Sequence, residues 1–597
     1  MAQACCARNA PGGQAFAFVT LDRIWGSFAV CSAMSYDLKP MKAPRAAGSL
    51  LHAFVAIVEN PVTGSLLADK LLRDAGIHAL REIEASGPPL FAPPVFDRVR
   101  EIADPAAPPA DLRALARQLG PAPGASFRPE SAADFQAAYA AGRTSPTRVA
   151  ERFLEHVGDS EGLEPPMRLF IAQDADDLRE QARASTARHT RGEPLGPLDG
   201  VPVAVKDELD QRPYPTTVGT SFLGREPVVA DAEAVARLRA AGALLVGKTN
   251  MHEIGLGVTG LNPHHGAARN PYDPARMTGG SSSGPAATVA AGLCPIAVGA
   301  DGGGSIRIPA ALCGVVGLKP TFGRVSEHGA APLCWSVAHV GPIAATVRDL
   351  ALAYAAMAGP DPKDATSLRQ PAPGWDGIGQ RGLGGIRLGI FRPWFEDAAP
   401  AVVEICRHTL DALADAGAKI VEVAIPELGL LRSAHLVTII AEMAGAHLAH
   451  YRRHRADYGA DTRLNLALAR RLLGYDYVHA QRLRARLCAH FAQVMAEVDA
   501  VVTPATACTA PLLAPDALHS GESNLEVTDQ IMRFAPAGNF TGLPAMSCPA
   551  GYDELGLPVG LQLLGRAWEE HVLLRIAGAI EQQVERREPR VHYRYLA

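Results

Sequence analysis

GGSSSGPAATVAAGLCPIAVGADGGGSIRIPAALCGVVGLKPT, residues 279–321, decides how the rest of the chain is read. Three serines (Ser281, Ser282 and Ser283) stand between Gly280 and Gly284 and lead into a short helical run that stops at Gly292. CPIAVGAD (294–301) follows, a brief apolar run of the kind that forms a strand buried on both faces. It ends in Gly302, Gly303 and Gly304, directly before Ser305. Glycines placed there let backbone approach something closely or adopt positive φ. The successive N–H groups of Gly302, Gly303, Gly304 and Ser305 can point into one concavity, a nest suited to a phosphate or to the oxyanion of a tetrahedral intermediate. A tight structural turn satisfies the same spacing.

Upstream, GVPVAVKD (200–207) is a second nearly continuous apolar run, and it ends in a single cation, Lys206. Burial disfavours the ammonium, and a neutral lysine can act as a general base. The alternative is a salt bridge from Lys206 to Asp207 or Glu208. The pattern then repeats. ADAEAVARLRAAGALLVGKTNM (230–251) reads as an Asp231 N-cap, a helix, a stop at Gly242 and a buried strand. CRHTLDALADAGAKIVEVAIP (406–426) gives helix, turn and strand, and DAVVTPATA (499–507) one more strand. Alternation of this kind predicts an α/β fold around a mixed sheet.

SAADFQAAYAAGRTSPTRVAERFLEHV (131–157) predicts two helices with a turn at Gly142, and a third helix covers residues 173–191. Residues 430–495 read as helical. Before residue 131, SLLADKLLRDAG (65–76) and DLRALARQL (111–119) are short helices, the second inside a proline-rich stretch. Three parts are therefore expected: an irregular 1–40, with Met34 or Met41 a candidate natural start; a helical extension and linker over 41–130; and a main domain over 131–590.

Composition narrows the function classes. The 597 residues carry a net charge of −5, which gives no electrostatic case for a nucleic-acid partner. No run of about 18 unbroken apolar residues predicts a membrane-spanning helix. The ten cysteines show neither metal nor redox spacing and read as reduced thiols of a cytoplasmic protein; no secretory signal, metal or cofactor is expected. GSSSG (280–284) satisfies the G-x-S-x-G pattern with Ser282, but that turn needs a strand running into it, and ARNPYDPARMTG (268–279) supplies none. His252-Glu253 lacks the second histidine of a zinc helix, and His264-His265 reads as a pair that fixes a loop. With no Ser-His-Asp set in view, a Ser–Lys scheme fits the residues better.

Residues 279–321 resemble the signature of the amidase signature family. The resemblance extends over GVPVAVKDELD (200–210), VGKTNMHEIGLGVTGLNPHHGAARNPYDP (246–274) and AGNFTGLPAMSCPAGYDELGLPVGLQLLGR (537–566), about 131–585 in all. It implies a large mixed β-sheet covered by helices on both faces, and a Ser–cis-Ser–Lys triad. The family lysine falls on Lys206, the bridging serine on Ser281 and the nucleophile on Ser305. The oxyanion loop falls on Gly302 to Ser305, with Gly302 where many members carry Thr or Ile. Ser282 and Arg307 are expected to support the site. MKAPRAAG (41–48), FVAIVENPVTGSLLADKLLRDAG (54–76) and DALHSGESNLEVTDQIMRF (516–534) are similar to plant-type fatty acid amide hydrolases. That finer resemblance implies hydrolysis of N-acylethanolamines and related long-chain acyl amides by a homodimer associated peripherally with membranes. A general short-chain amidase, the amidase subunit of a tRNA-dependent amidotransferase, and an inactive lipid-binding scaffold are the other readings.

Overall fold

The computed structural model describes residues 36–41, 44–60, 62–85, 87–120 and 127–596; the expectations for 1–35 and for part of the linker lie outside them. Thirteen strands run in chain order through the described residues: β1 (Ala46–Ala47), β2 (Phe170–Ala172), β3 (Pro202–Lys206), β4 (Leu244–Thr249), β5 (Ile296–Ala300), β6 (Val316–Lys319), β7 (Val340–Ala344), β8 (Arg387–Ile390), β9 (Lys419–Glu422), β10 (Ala500–Pro504), β11 (Glu522–Ser523), β12 (Ala545–Tyr552) and β13 (Pro558–Gly565). Eleven of them form one mixed sheet in the order β2-β4-β3-β5-β7-β6-β12-β13-β10-β8-β9, and β1 pairs with β11 apart from it. β3 lies parallel to both β4 and β5, β8 parallel to β10 and β9, and the centre from β5 to β10 is antiparallel.

Every residue of β3, β5, β6, β7 and β13 is buried, so helices cover both faces of the sheet and apolar side chains are tolerated at consecutive positions. The expected turn between the helices Ala132–Ala140 and Pro146–Glu161 falls at Gly142, φ +67°. The expected helix cap fails. Asp231 does not cap the Glu233–Ala240 helix, whose N-cap is Ala232. Its carboxylate instead accepts the Arg212 N–H at 2.8 Å and Arg239 Nε at 2.7 Å, because an arginine two turns into the helix reaches back to it.

The N-terminal helices are fastened to the main fold. Leu51, Val55 and Val58 of the Gly48–Glu59 helix pack on Ala460, Leu464 and Ala467. Arg81 makes a two-pronged bond to buried Asp476 (2.8 and 2.9 Å). Leu428–Ala446 has the length and apolar composition of a membrane span. Here it is a core helix, with Leu431, Val437 and Met443 buried and polar His435 and Glu442 bonded inward.

Two features of this architecture position the site. β3 and β5 are parallel neighbours, so Lys206 and Ala300 end their strands side by side. The Ser283–Ala290 helix precedes β5, so the serines that begin it return to the same edge. Ligands of α/β sheets collect at the carboxyl ends of such parallel strands.

Candidate active site

Lys206 is fully buried, and its amine donates to Ser281 Oγ at 2.8 Å and to the Ala300 carbonyl at 3.3 Å. Its Nζ also lies 2.6 Å from Glu208 Oε2. The salt bridge that the sequence offered as the alternative is present, made to Glu208, and the same amine also meets a serine hydroxyl. Ser281 follows a cis Gly280–Ser281 peptide bond, the form that the family resemblance implies, and its carbonyl accepts the His252 N–H at 3.1 Å. Ser282 ties the two segments together. Its N–H donates to the Ser305 carbonyl at 3.2 Å, and its hydroxyl donates to the Ala300 carbonyl at 3.2 Å. Lys206, Ser281 and Ser305, which stand far apart in sequence, are thus gathered at the ends of β3 and β5; Ser281 is 2% exposed and Ser305 5%.

The glycine loop is held from behind by Asp301, a residue the motif reading passed over. Its carboxylate accepts N–H bonds from Gly304 (2.7 Å) and Ile306 (3.1 Å), from Arg307 Nε (3.0 Å) and Nη2 (3.1 Å), and from Asn539 Nδ2 (2.8 Å). Burial alone would raise the pKa of this carboxyl. Arg307, then Asn539, outweigh that and hold it far below the usual carboxylate range. Arg307 is its charged partner in the core, and its remaining N–H groups reach the Ala535 carbonyl (3.0 Å), Gln562 Oε1 (2.6 Å) and Asn539 Oδ1 (2.6 Å). An ion pair this deep is supportable because nearly every donor and acceptor is matched.

This web corrects the expected nest. The Gly304 N–H is committed to Asp301 and does not face the concavity. Among the described residues, the amides of Gly302, Gly303 and Ser305 have no protein hydrogen-bond partner, so they are the donors open to an oxyanion. Gly304 is needed for another reason. At φ +117°, an added Cβ would meet Ala535 Cβ and Ile308 Cδ1 at 2.6 Å each.

The far wall comes from the helical region for which the sequence offered no motif. His435 Nε2 donates to the Gly302 carbonyl at 2.9 Å, and burial pushes its pKa down to about 4, so the ring is neutral near pH 7. A Cβ at Gly302 would lie 2.7 Å from Cys334 Sγ and 3.3 Å from Ile439; one at Gly303 would lie 3.1 Å from Met532. Glu442 fixes the loop bearing Cys334 by accepting the Ser336 N–H (2.9 Å) and hydroxyl (2.6 Å), and Arg484 donates to the Ser336 carbonyl at 2.7 Å.

The histidine pair does fix a loop: His264 Nε2 lies 2.6 Å from Glu253 Oε1, and His265 Nε2 donates to the Thr220 carbonyl at 3.3 Å. Among the described residues no group of three or more His, Cys, Asp or Glu is arranged to hold a metal ion.

Comparison with known proteins makes this chain an amide-hydrolysing enzyme. The sequence matches the family described as Amidase over residues 157–574, and the chain belongs to that family. It is 39% identical to a fatty acid amide hydrolase of Arabidopsis thaliana over 576 residues, covering 92% of this chain and 95% of the relative. It is 36% identical to a glutamyl-tRNA(Gln) amidotransferase subunit from a Roseiflexus strain over 446 residues, covering 70% of this chain and 90% of that one. The fold superposes on the peptide amidase of Stenotrophomonas maltophilia with a TM-score of 0.66 and 30% identity, over 77% of this chain and 98% of that one.

Proposed function

We propose that this enzyme hydrolyses fatty acid amides, N-acylethanolamines and related long-chain acyl amides, to free fatty acid and amine, through an acyl-enzyme on Ser305. The observation that carries the chemistry is the bond from buried Lys206 to Ser281 Oγ at 2.8 Å, with Ser281 next to the segment that binds Ser305. Ser305 Oγ attacks the amide carbonyl while its proton passes to Ser281 and the Ser281 proton to Lys206. The oxyanion meets the open amides of Gly302, Gly303 and Ser305; losing one donor of this kind typically costs about 3–4 kcal/mol. The relay returns the proton to the leaving nitrogen as the C–N bond breaks. Water then adds to the ester, displacing Ser305 and releasing the acid.

The acyl part of the reading rests on two supports. Similarity to the plant relative runs through the N-terminal extension, whereas similarity to the amidotransferase relative covers only 70% of the chain. Ile439 and Met532 also give the glycine loop an apolar flank. A homodimer, cytoplasmic and peripherally bound to membrane, belongs to the same proposal. The test is kcat/KM across a panel from acetamide to long-chain N-acylethanolamines. A steep rise with chain length supports the fatty-amide reading, and a preference for acetamide overturns it.

A further inference from the structure

Glu208 is the buried charge that the relay described above leaves unused. The chain turns as soon as β3 ends, the Leu209 N–H donating to the Lys206 carbonyl at 3.1 Å, and the turn brings Glu208 back over the lysine. The Lys206 and Glu208 side chains are only 1% and 6% exposed. Glu208 Oε2 lies 2.6 Å from Nζ as an ion pair and, within the described residues, makes no hydrogen bond. The backbone is pinned as well: the Glu208 carbonyl accepts the Ala331 N–H at 2.8 Å, and Leu209 bridges to Ala330. A Cβ on Gly255 would lie 3.6 Å from Glu208 Oε2 and 3.7 Å from Ser281 Oγ, so carboxylate, amine and hydroxyl share one small space.

The other titratable groups around Lys206 are occupied or uncharged. Asp207 is turned to Lys248 (3.2 Å) and to the Gly219 N–H (3.0 Å). Glu442 accepts from Ser336 and from the Tyr477 hydroxyl (2.8 Å). Burial, then Asp364, Glu208 and Glu442, raises the Glu327 carboxyl well above its ordinary pKa. Burial, then Glu442, Glu208 and Glu327, does the same to the Cys334 thiol. Burial thus disfavours the charged form of both, and Glu208 is the carboxylate that meets the amine.

We propose that Glu208 is a positioning residue: it holds the Lys206 amine on Ser281 Oγ and stabilises the ammonium that forms when Lys206 takes up the relayed proton. This is the orienting third group that activated nucleophile–base pairs commonly carry, supplied here by the residue two positions beyond the base. The inference rests on the reading of Lys206 as base and Ser305 as nucleophile.

The experiment measures the rate of labelling by a fluorophosphonate probe, and kcat/KM for an acyl amide, from pH 6 to 10. The proteins are wild type, Glu208→Gln, Glu208→Asp and Ser305→Ala. In Glu208→Gln the plateau falls by about tenfold or more, and the limb on which activity rises with pH moves down by about one pH unit or more, because no carboxylate now favours the ammonium. In Glu208→Asp the limb lies between those of Glu208→Gln and wild type, and this variant carries the test if the glutamine protein does not fold. A limb that stays in place in both variants overturns the proposal, whatever happens to the plateau or to thermal stability. Labelling of Ser305→Ala at the wild-type rate overturns the nucleophile reading itself. A silent Ser305→Ala beside an unmoved limb removes only the role of Glu208.

Discussion

Replacing Gly304 by alanine adds one carbon where the structure leaves no place for it. The residue sits at φ +117°, which costs an L side chain about 1–3 kcal/mol. The new Cβ would stand 2.6 Å from both Ala535 Cβ and Ile308 Cδ1, and overpacking of this kind adds about 1–3 kcal/mol. Together these give a loss of roughly 2–6 kcal/mol. Ala535 yields little, because its carbonyl is bonded to Arg307 Nη1, so the loop itself must give way. Reaching an ordinary carbon–carbon contact means a shift of about 1 Å, carried directly into Ser305, and misplacement of a reacting group by that distance can slow chemistry by about 100-fold. Thermal unfolding and the rate of fluorophosphonate labelling measure the two effects separately. A Gly304→Ala protein with wild-type unfolding temperature and labelling within about twofold of wild type refutes the reasoning.

Asp301→Asn keeps the size of the side chain and removes its charge, leaving the Arg307 guanidinium, 1% exposed, without its carboxylate; a loss of about 3–5 kcal/mol is expected in denaturant or thermal unfolding, and wild-type stability contradicts the bracing role. Asp349, buried in the first turn of the Val347–Met357 helix, has a pKa raised to about 7 by burial, against the opposing bonds from Thr346 and the Ala132 N–H. A pKa raised on folding contributes stability below the unfolded value near 3.9 that is lost as pH rises through about 7. The stability of Asp349→Asn relative to wild type therefore improves between pH 5 and pH 8, and a difference that stays constant contradicts it.

Much of this was legible in the sequence, for identifiable reasons. β3, β4, β5 and β10 are buried on both faces, so each appears as an unbroken apolar run bounded by glycine, charge or proline. The order of strands in the sheet was not legible, because β12 and β13 enter between β6 and β10, and β12 pairs with β6 across more than 200 residues. Lys206, Ser281 and Ser305 stand out because a cation at the end of an apolar strand and serines among glycines are chemically unusual. Asp301 and Asn539 do not, since each is one polar residue whose role depends on what packs behind it. The same holds for His435 and Glu442, which lie on a helix whose pattern is that of an ordinary core helix. Asp231 and Gly304 show the limit from the other side. In each, a local rule named a plausible bond, and a nearby side chain, Arg239 eight residues on in one case and the Asp301 carboxylate three residues back in the other, took the group instead.

The most direct measurement is peptide mass mapping of the protein after reaction with a fluorophosphonate probe. The account predicts a single adduct on the peptide containing Ser305, and none in Ser305→Ala under the same conditions. An adduct on Ser282 or elsewhere, or equal labelling of the Ser305→Ala protein, contradicts it.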